Sequence, residues 1–229
     1  MIAAHRLLAL IPARSGSVRV PDKNARKFGG SSLIEIAVTG ALQAEGIDHV
    51  GFSSDSKAYL ELANRAGLDE TYLRPQELAG PTATSVECVI DYLRWSSEYI
   101  TGTFTHVVLL QPTSPHRTSK DINAAISFWR QSGTSSLASV ARISPDPKYV
   151  ICEDSTSGRL FKYDEKHMPE YTVLDGSIFI NSVEMLKNEE EFWNESSALF
   201  KCEYPRYFDI DTEIDFAAAE AMYSGKYSK

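Results

Sequence analysis

Cysteine is scarce in this 229-residue chain, and the three present, Cys88, Cys152 and Cys202, show no paired spacing. That excludes a zinc-ligand pattern and a disulfide framework, and it suits a reducing compartment. Basic charge is also in short supply: 23 Lys and Arg stand against 31 Asp and Glu, a formal net charge of −8. A nucleic-acid coat or a binder of anionic membranes needs a basic face, so neither class fits. Long hydrophobic runs are missing. Nothing approaches the roughly 20 residues of a membrane-spanning helix. The run from Leu7 to Ala13 is too short for a leader peptide and lacks its basic flank, so a cytoplasmic protein is expected. Repeats and low-complexity tracts are absent as well.

What is present is an apolar fraction of 43% with 24% charged residues, enough to build a full core. The length fits one domain spanning 1–229. Short apolar runs alternate with amphipathic stretches. Leu7–Pro12, His49–Ser53, His106–Leu110, Leu137–Arg142 and Gly176–Ile180 read as strands. Leu33–Ala44, Lys57–Ala66, Thr84–Glu98, Ser119–Gln131 and a segment through Phe216, Ala219 and Met222 read as helices. This alternation predicts an α/β fold with three layers: a mostly parallel mixed sheet, Rossmann-like, with helices on both faces. Between Ser144 and Val173 the pattern breaks at Pro145, Pro147 and Pro169, which predicts an excursion from the sheet over 144–173, used in dimer contact.

In sheets of this kind ligands sit beyond the carboxyl ends of the strands. There the chain places Arg14–Asn24, Ser53–Asp55 and Gln111–Ser114, all small, polar or basic stretches. The first is the most informative. Gly16 is expected to let the backbone approach a polyphosphate, and Arg14, Arg19 and Lys23 to supply opposing charge. Near the other end, Asp209-Ile210-Asp211 sets two carboxylates on one side of an extended chain with Ile210 opposite. Two hard oxygen donors suit a Mg²⁺ ion already carrying phosphates. The alternative is that Asp211 or Thr212 caps the following helix. Asp55 is weighed as a nucleotide contact against a helix cap, with the cap preferred; Arg117 is read as a brace for its turn, His106 as structural or exposed, and Trp95, Trp129 and Trp193 as packing or interface residues. His116 is weighed as a contact to a bound ligand against a structural role.

Five blocks together resemble the N-acylneuraminate cytidylyltransferases, the CMP-sialic acid synthetases. They are Ile11–Ser17, Pro21–Asn24, Arg74–Ala79, Leu110–Pro115 and Asp209–Glu213, in the family's order and over nearly the whole chain. The resemblance implies attack by the anomeric hydroxyl of a nonulosonic acid on the α-phosphorus of CTP, with pyrophosphate leaving and a CMP-sugar forming. It implies Arg14, Lys23 and Asp211 as catalytic residues. Nucleotide contacts would come from Arg14, Ser17, Arg19, Lys23, Asn24, Arg74, Thr82, Thr84 and Ser85. Sugar contacts would come from Gln111, Ser114, Asp175 and Phe179, and Mg²⁺ would be held by Asp209 and Asp211. A homodimer is implied, with no nucleic-acid or membrane partner. Three departures from the family pattern stand out, the first in the phosphate loop and the other two on the acceptor side. Val18 replaces a Lys usual in the family, Asp175 and Phe179 stand where Asn and Tyr are usual, and Glu165-Lys166-His167-Met168 lacks the arginines usual before the aligned Pro169. The alternatives are therefore a transferase for another sugar acid or nucleotide (legionaminic-type, Kdo-type or GTP-using) and a non-catalytic nucleotide-sugar-binding homologue.

Overall fold

The computed structural model describes residues 5–143, 151–153, 160–162, 171–189, 191–202 and 209–224. In chain order the elements are β1 (Leu7–Pro12), β2 (Lys27–Phe28), β3 (Ser31–Ser32), α1 (Leu33–Leu42), β4 (His49–Ser53) and α2 (Lys57–Arg65). A 3₁₀ turn (Gln76–Ala79) precedes α3 (Ser85–Tyr99), β5 (His106–Leu109), α4 (Ser119–Ser132) and β6 (Ser136–Ile143). Then come β7 (Ile151–Glu153), β8 (Leu160–Lys162), β9 (Tyr171–Ser182), α5 (Val183–Glu189), β10 (Ala198–Lys201) and α6 (Glu213–Tyr223).

Six strands form one sheet in the order β10-β6-β9-β5-β1-β4. Strand β1 pairs parallel with β4 and β5, β10 pairs parallel with β6, and β9 runs antiparallel between β5 and β6. Side chains alternate across a strand. Leu7, Ala9 and Ile11 therefore enter one apolar cluster, with Ile34 and Val38 of α1, Tyr59 of α2 and Ile122 and Trp129 of α4. Leu8 and Leu10 enter a second, with Val86, Val89 and Tyr92 of α3 and Leu186 of α5. A strand covered on both faces has no polar positions, which is why β1 reads as an unbroken apolar run. The three expected layers are present.

Four helices begin with the same reciprocal cap. Ser32, Thr84, Thr118 and Thr212 each accept from the backbone three residues on, where Glu35, Glu87, Asp121 and Asp215 reach back. Such caps each contribute about 1 kcal/mol. The cap of α6 is thus Thr212, not Asp211. At the outer edge, buried Glu70 accepts from the N–H of Phe52 in β4 and from the Tyr92 hydroxyl at 2.6 Å. Of the expected excursion, 144–150, 154–159 and 163–170 lie outside the described residues. Strands β7 and β8 pair antiparallel as a separate two-stranded sheet, and residues 171–173 belong to β9.

A third, smaller core decides where the two ends of the chain meet. Val20, Phe28 and Leu33 from the N-terminal segment pack with Ile210, Phe216 and Ala219 from the C-terminal one, all buried. The rings of Phe28 and Phe216 meet edge to face with centroids 5.4 Å apart. Burying side chains of this size contributes about 1.5–3 kcal/mol each. The arrangement brings the loop after β1 against the segment before α6, although Lys23 and Ile210 are 187 positions apart in sequence.

Candidate active site

The loop after β1 is anchored at its root. The Ala13 N–H donates to the Ser53 carbonyl at 2.9 Å, extending the β1–β4 pairing by one step. Ser15 then donates to Asp55 twice, from its N–H at 2.9 Å and its hydroxyl at 2.6 Å. Asp55 is therefore a clip on the loop, and the cap of α2 is Ser56. Further on, Val20-Pro21-Asp22-Lys23 closes as a turn, with the Lys23 N–H donating to the Val20 carbonyl. Asp22 sits in the left-handed region with φ 50°. Proline followed by a left-handed residue is the pattern of a type II turn. This turn, rather than Gly16, supplies the loop's left-handed bend. Gly16 is exposed, and a Cβ there would meet nothing within 4 Å.

Because Val20 and Ile210 share one core, the residues flanking each face the same space. The Lys23 ammonium donates to the Ile210 carbonyl and lies 3.6 Å from an Asp211 oxygen. Arg19 reaches the other Asp211 oxygen at 3.0 Å. The Ile210 N–H donates to the Thr113 carbonyl at 3.1 Å, which fixes the acid segment to the loop after β5. Burial pulls the Lys23 pKa down, and the charges of Asp211 and Asp209 oppose that shift. Asp209 moves the other way: surrounding protein raises its pKa, the like charge of Asp211 adds to this, and a hydrogen bond with Thr113 and the charge of Lys23 oppose it. Two carboxylates side by side against a cationic loop make a site able to take up a cation and an anion together.

These groups line one cavity of about 370 Å³. The loop contributes Arg14, Ser17, Arg19, Lys23 and Asn24; the acid pair Asp209 and Asp211 adjoins it; Arg74, Ser85 and Gln111 also line the cavity. Arg14 is exposed and donates to the Gly80 carbonyl at 3.2 Å. Arg74 is buried, with Nε 2.9 Å from the Ser53 hydroxyl and Nη2 2.6 Å from the Ser53 carbonyl, so its guanidinium holds the end of β4 in place. Asn24 is buried and donates to the Arg14 carbonyl, while its Oδ1 has no hydrogen-bond partner.

Five of the expected contacts are not among the cavity-lining residues. Thr84 is spent as the cap of α3, where its hydroxyl and N–H engage Glu87. Thr82 is exposed outside the cavity lining. Ser114 is buried, its hydroxyl without a partner. Asp175 is 2% exposed and bonded to Ser139 and Ser177 beneath the surface. Phe179 packs in the second apolar cluster beside Phe192. The cavity also has walls that were not expected as site residues: Val18, Gly80, Pro81, Cys88 and Thr113. Thr113 lay inside a stretch marked by its place after a strand; Cys88 gave no signal, since its helical spacing reads as core. His116 bonds the Ala219 carbonyl at 3.1 Å, and buried Arg117 bonds the carbonyls of Gln111 and Ser177.

Comparison with known proteins adds three findings. The cytidylyltransferase family model matches residues 8–222. The chain is 34% identical over 224 residues to the CMP-N,N'-diacetyllegionaminic acid synthase of Legionella pneumophila, covering 95% of this chain and 96% of that protein. It is 31% identical over 222 residues to the N-acylneuraminate cytidylyltransferase of Escherichia coli, covering 93% of this chain and 51% of that longer one. Among solved structures, a CMP:2-keto-3-deoxy-manno-octonic acid synthetase complexed with CTP superposes with a TM-score of 0.70 at 15% identity. That match covers 96% of this chain and 99% of that one, and it speaks for the fold alone.

Proposed function

We propose, from the premise that the chain belongs to the cytidylyltransferase family, that it transfers the cytidylyl group of CTP to the anomeric hydroxyl of a nonulosonic acid. Pyrophosphate is released and a CMP-sugar forms. The observation that carries this reading is the meeting of Arg14, Arg19 and Lys23 with Asp209 and Asp211 around one cavity. A triphosphate fits the cationic loop, where Arg14 and Lys23 neutralise charge developing on the phosphates and Ser17 holds the leaving group. The unpartnered Oδ1 of Asn24 is an acceptor in want of a donor, which a nucleoside hydroxyl or amine provides.

The acid pair fits Mg²⁺. Its carboxylates face one cavity, their mutual repulsion favours a cation, and Mg²⁺ needs only one or two protein carboxylates when it arrives with phosphates. Bound there, Mg²⁺ would polarise the α-phosphate. In the structure Asp211 is engaged by Arg19 and Lys23, and both cations would be free to pair with the triphosphate were Asp211 to hold Mg²⁺.

The acceptor is a legionaminic-type acid in preference to N-acetylneuraminate. Support comes from the end-to-end match at 34% identity to a protein named for the N,N'-diacetyllegionaminic product. We also read the protein as a cytoplasmic homodimer. Cys88 and Cys202 are free thiols. Sedimentation at micromolar concentration tests the dimer; a monomer refutes it. The activity is tested by pyrophosphate release with Mg²⁺, CTP or GTP, and a panel of nonulosonic acids. Release with CTP and legionaminic-type acids is expected. Release with GTP alone, or nucleotide binding without turnover on any acid, overturns the reading.

A further inference from the structure

The pairing of β6 with β9 is regular through Leu137↔Ile180 and Ala138↔Phe179, then jumps to Val140↔Leu174. Four residues of β9, Asp175 to Ile178, thus stand opposite the single residue Ser139. The fully buried Ser139 hydroxyl fills the gap, accepting from the Ile178 N–H at 2.7 Å and donating to Asp175 Oδ1. That same oxygen accepts from the Ser177 N–H at 2.9 Å. A bulge bends the strand that carries it and re-aims nearby groups, and this one pushes Gly176 sideways with φ +68°. A Cβ at Gly176 would lie 3.2 Å from Gln111 Oε1. On the other flank the buried Arg117 guanidinium joins the two segments, donating to the Gln111 carbonyl at 3.0 Å and the Ser177 carbonyl at 2.7 Å. Of these residues only Gln111 lines the cavity.

We infer that Ser139, Asp175 and Arg117 form a buried latch that sets the position of Gln111, making them positioning residues for the acceptor rather than contacts to it. The inference rests on the reading above that the Gln111 side of the cavity receives the sugar acid. Each part has a physical task. Ser139 and Asp175 hold the bulge closed. Gly176 gives the Gln111 amide a wall with no side chain of its own. Arg117 fixes the Gln111 backbone to that wall, and the Asp175 carboxylate is the strongest of the charges that favour its guanidinium. A site built to hydrogen-bond one substrate group discriminates well only if the bonding group cannot drift. The latch also gives the carboxylate at position 175 an internal task, since its Oδ1 is held by the Ser139 hydroxyl and the Ser177 N–H.

Three variants test this: Ser139→Ala, Gly176→Ala and Gln111→Ala. In Ser139→Ala and Gln111→Ala the acceptor KM rises about tenfold while the CTP KM stays within twofold. The Ser139→Ala/Gln111→Ala double variant is no worse than Gln111→Ala alone. A readout free of turnover is the Gln111 side-chain amide resonance, assigned by its loss in Gln111→Ala, which shifts in both Ser139→Ala and Gly176→Ala. An unmoved amide resonance overturns the latch whatever the kinetics show. So does an equal change in the acceptor and CTP constants, or a double variant that multiplies the single effects. Failure of the wild-type protein to release pyrophosphate with any acid overturns the functional reading instead, and the amide shift still decides the latch.

Discussion

Replacing Asp55 with Ala removes the clip that roots the phosphate loop. Asp55 accepts from the N–H and the hydroxyl of Ser15 at 2.9 and 2.6 Å, and it lines no part of the cavity. A hydrogen bond to a charged group contributes about 1.5–3 kcal/mol. Asp55 keeps solvent contact, which screens it, and both bonds go to one residue, so they do not simply add. Together they come to about 2 kcal/mol. If the loop must be ordered before it can hold a triphosphate, that cost appears as a loss of roughly 30-fold in CTP affinity. Titration calorimetry of CTP with Mg²⁺ into wild type and Asp55→Ala measures it. The pH dependence supplies a second arm. Burial pulls the Asp55 pKa up, but the bonds from Ser15 and the Arg74 charge outweigh it and leave the pKa below the ordinary value. The ionised clip therefore stabilises the fold above the ordinary carboxylate pKa, and that gain disappears as pH falls through the lowered native one. The melting temperatures of wild type and Asp55→Ala converge over that window. A CTP affinity within threefold of wild type would refute the clip.

Arg14→Ala and Asp211→Ala each lower kcat by about two orders of magnitude with little change in melting temperature, as expected for loss of one electrostatic stabiliser; near-normal turnover in either removes its role. Arg19→Ala frees Asp211 from an exposed ion pair worth less than about 1 kcal/mol. Mn²⁺ binding to the nucleotide-free protein, followed by electron paramagnetic resonance, then tightens by no more than about fivefold while the CTP KM rises; weaker Mn²⁺ binding contradicts the exchange of cations. Gly51→Ala drives a Cβ into the Tyr92 ring, which cannot swing aside because its hydroxyl is bonded to buried Glu70. The cost is about 2–3 kcal/mol by urea unfolding, and a loss under about 0.5 kcal/mol would show that the ring does move.

Much of this molecule is legible in its residues because the controlling forces are local or periodic. The unbroken apolar run of β1 follows from burial on both faces, and the four Ser/Thr caps follow from the need of helix starts for acceptors. Asp209-Ile210-Asp211 works as the alternation suggests, with Ile210 fully buried and both carboxylates on the cavity. What escaped depends on contacts far along the chain. The antiparallel sense of β9 leaves no mark on its composition. Strand β10 is four residues long and half exposed, too short for a pattern. Thr84 carries the signal of a cap, an acidic residue three positions on, and the structure shows that cap. Asp175 and Phe179 were placed at the sugar by analogy, whereas a bulge buries the first and the apolar layer beneath the sheet takes the second.

The reversed direction of β9 has a geometrical result. Strand β6 finishes at Ile143 directly across from the start of β9 at Tyr171. Whatever chain lies between those two points must leave and rejoin the sheet on the rim where β1, β4 and β5 also end.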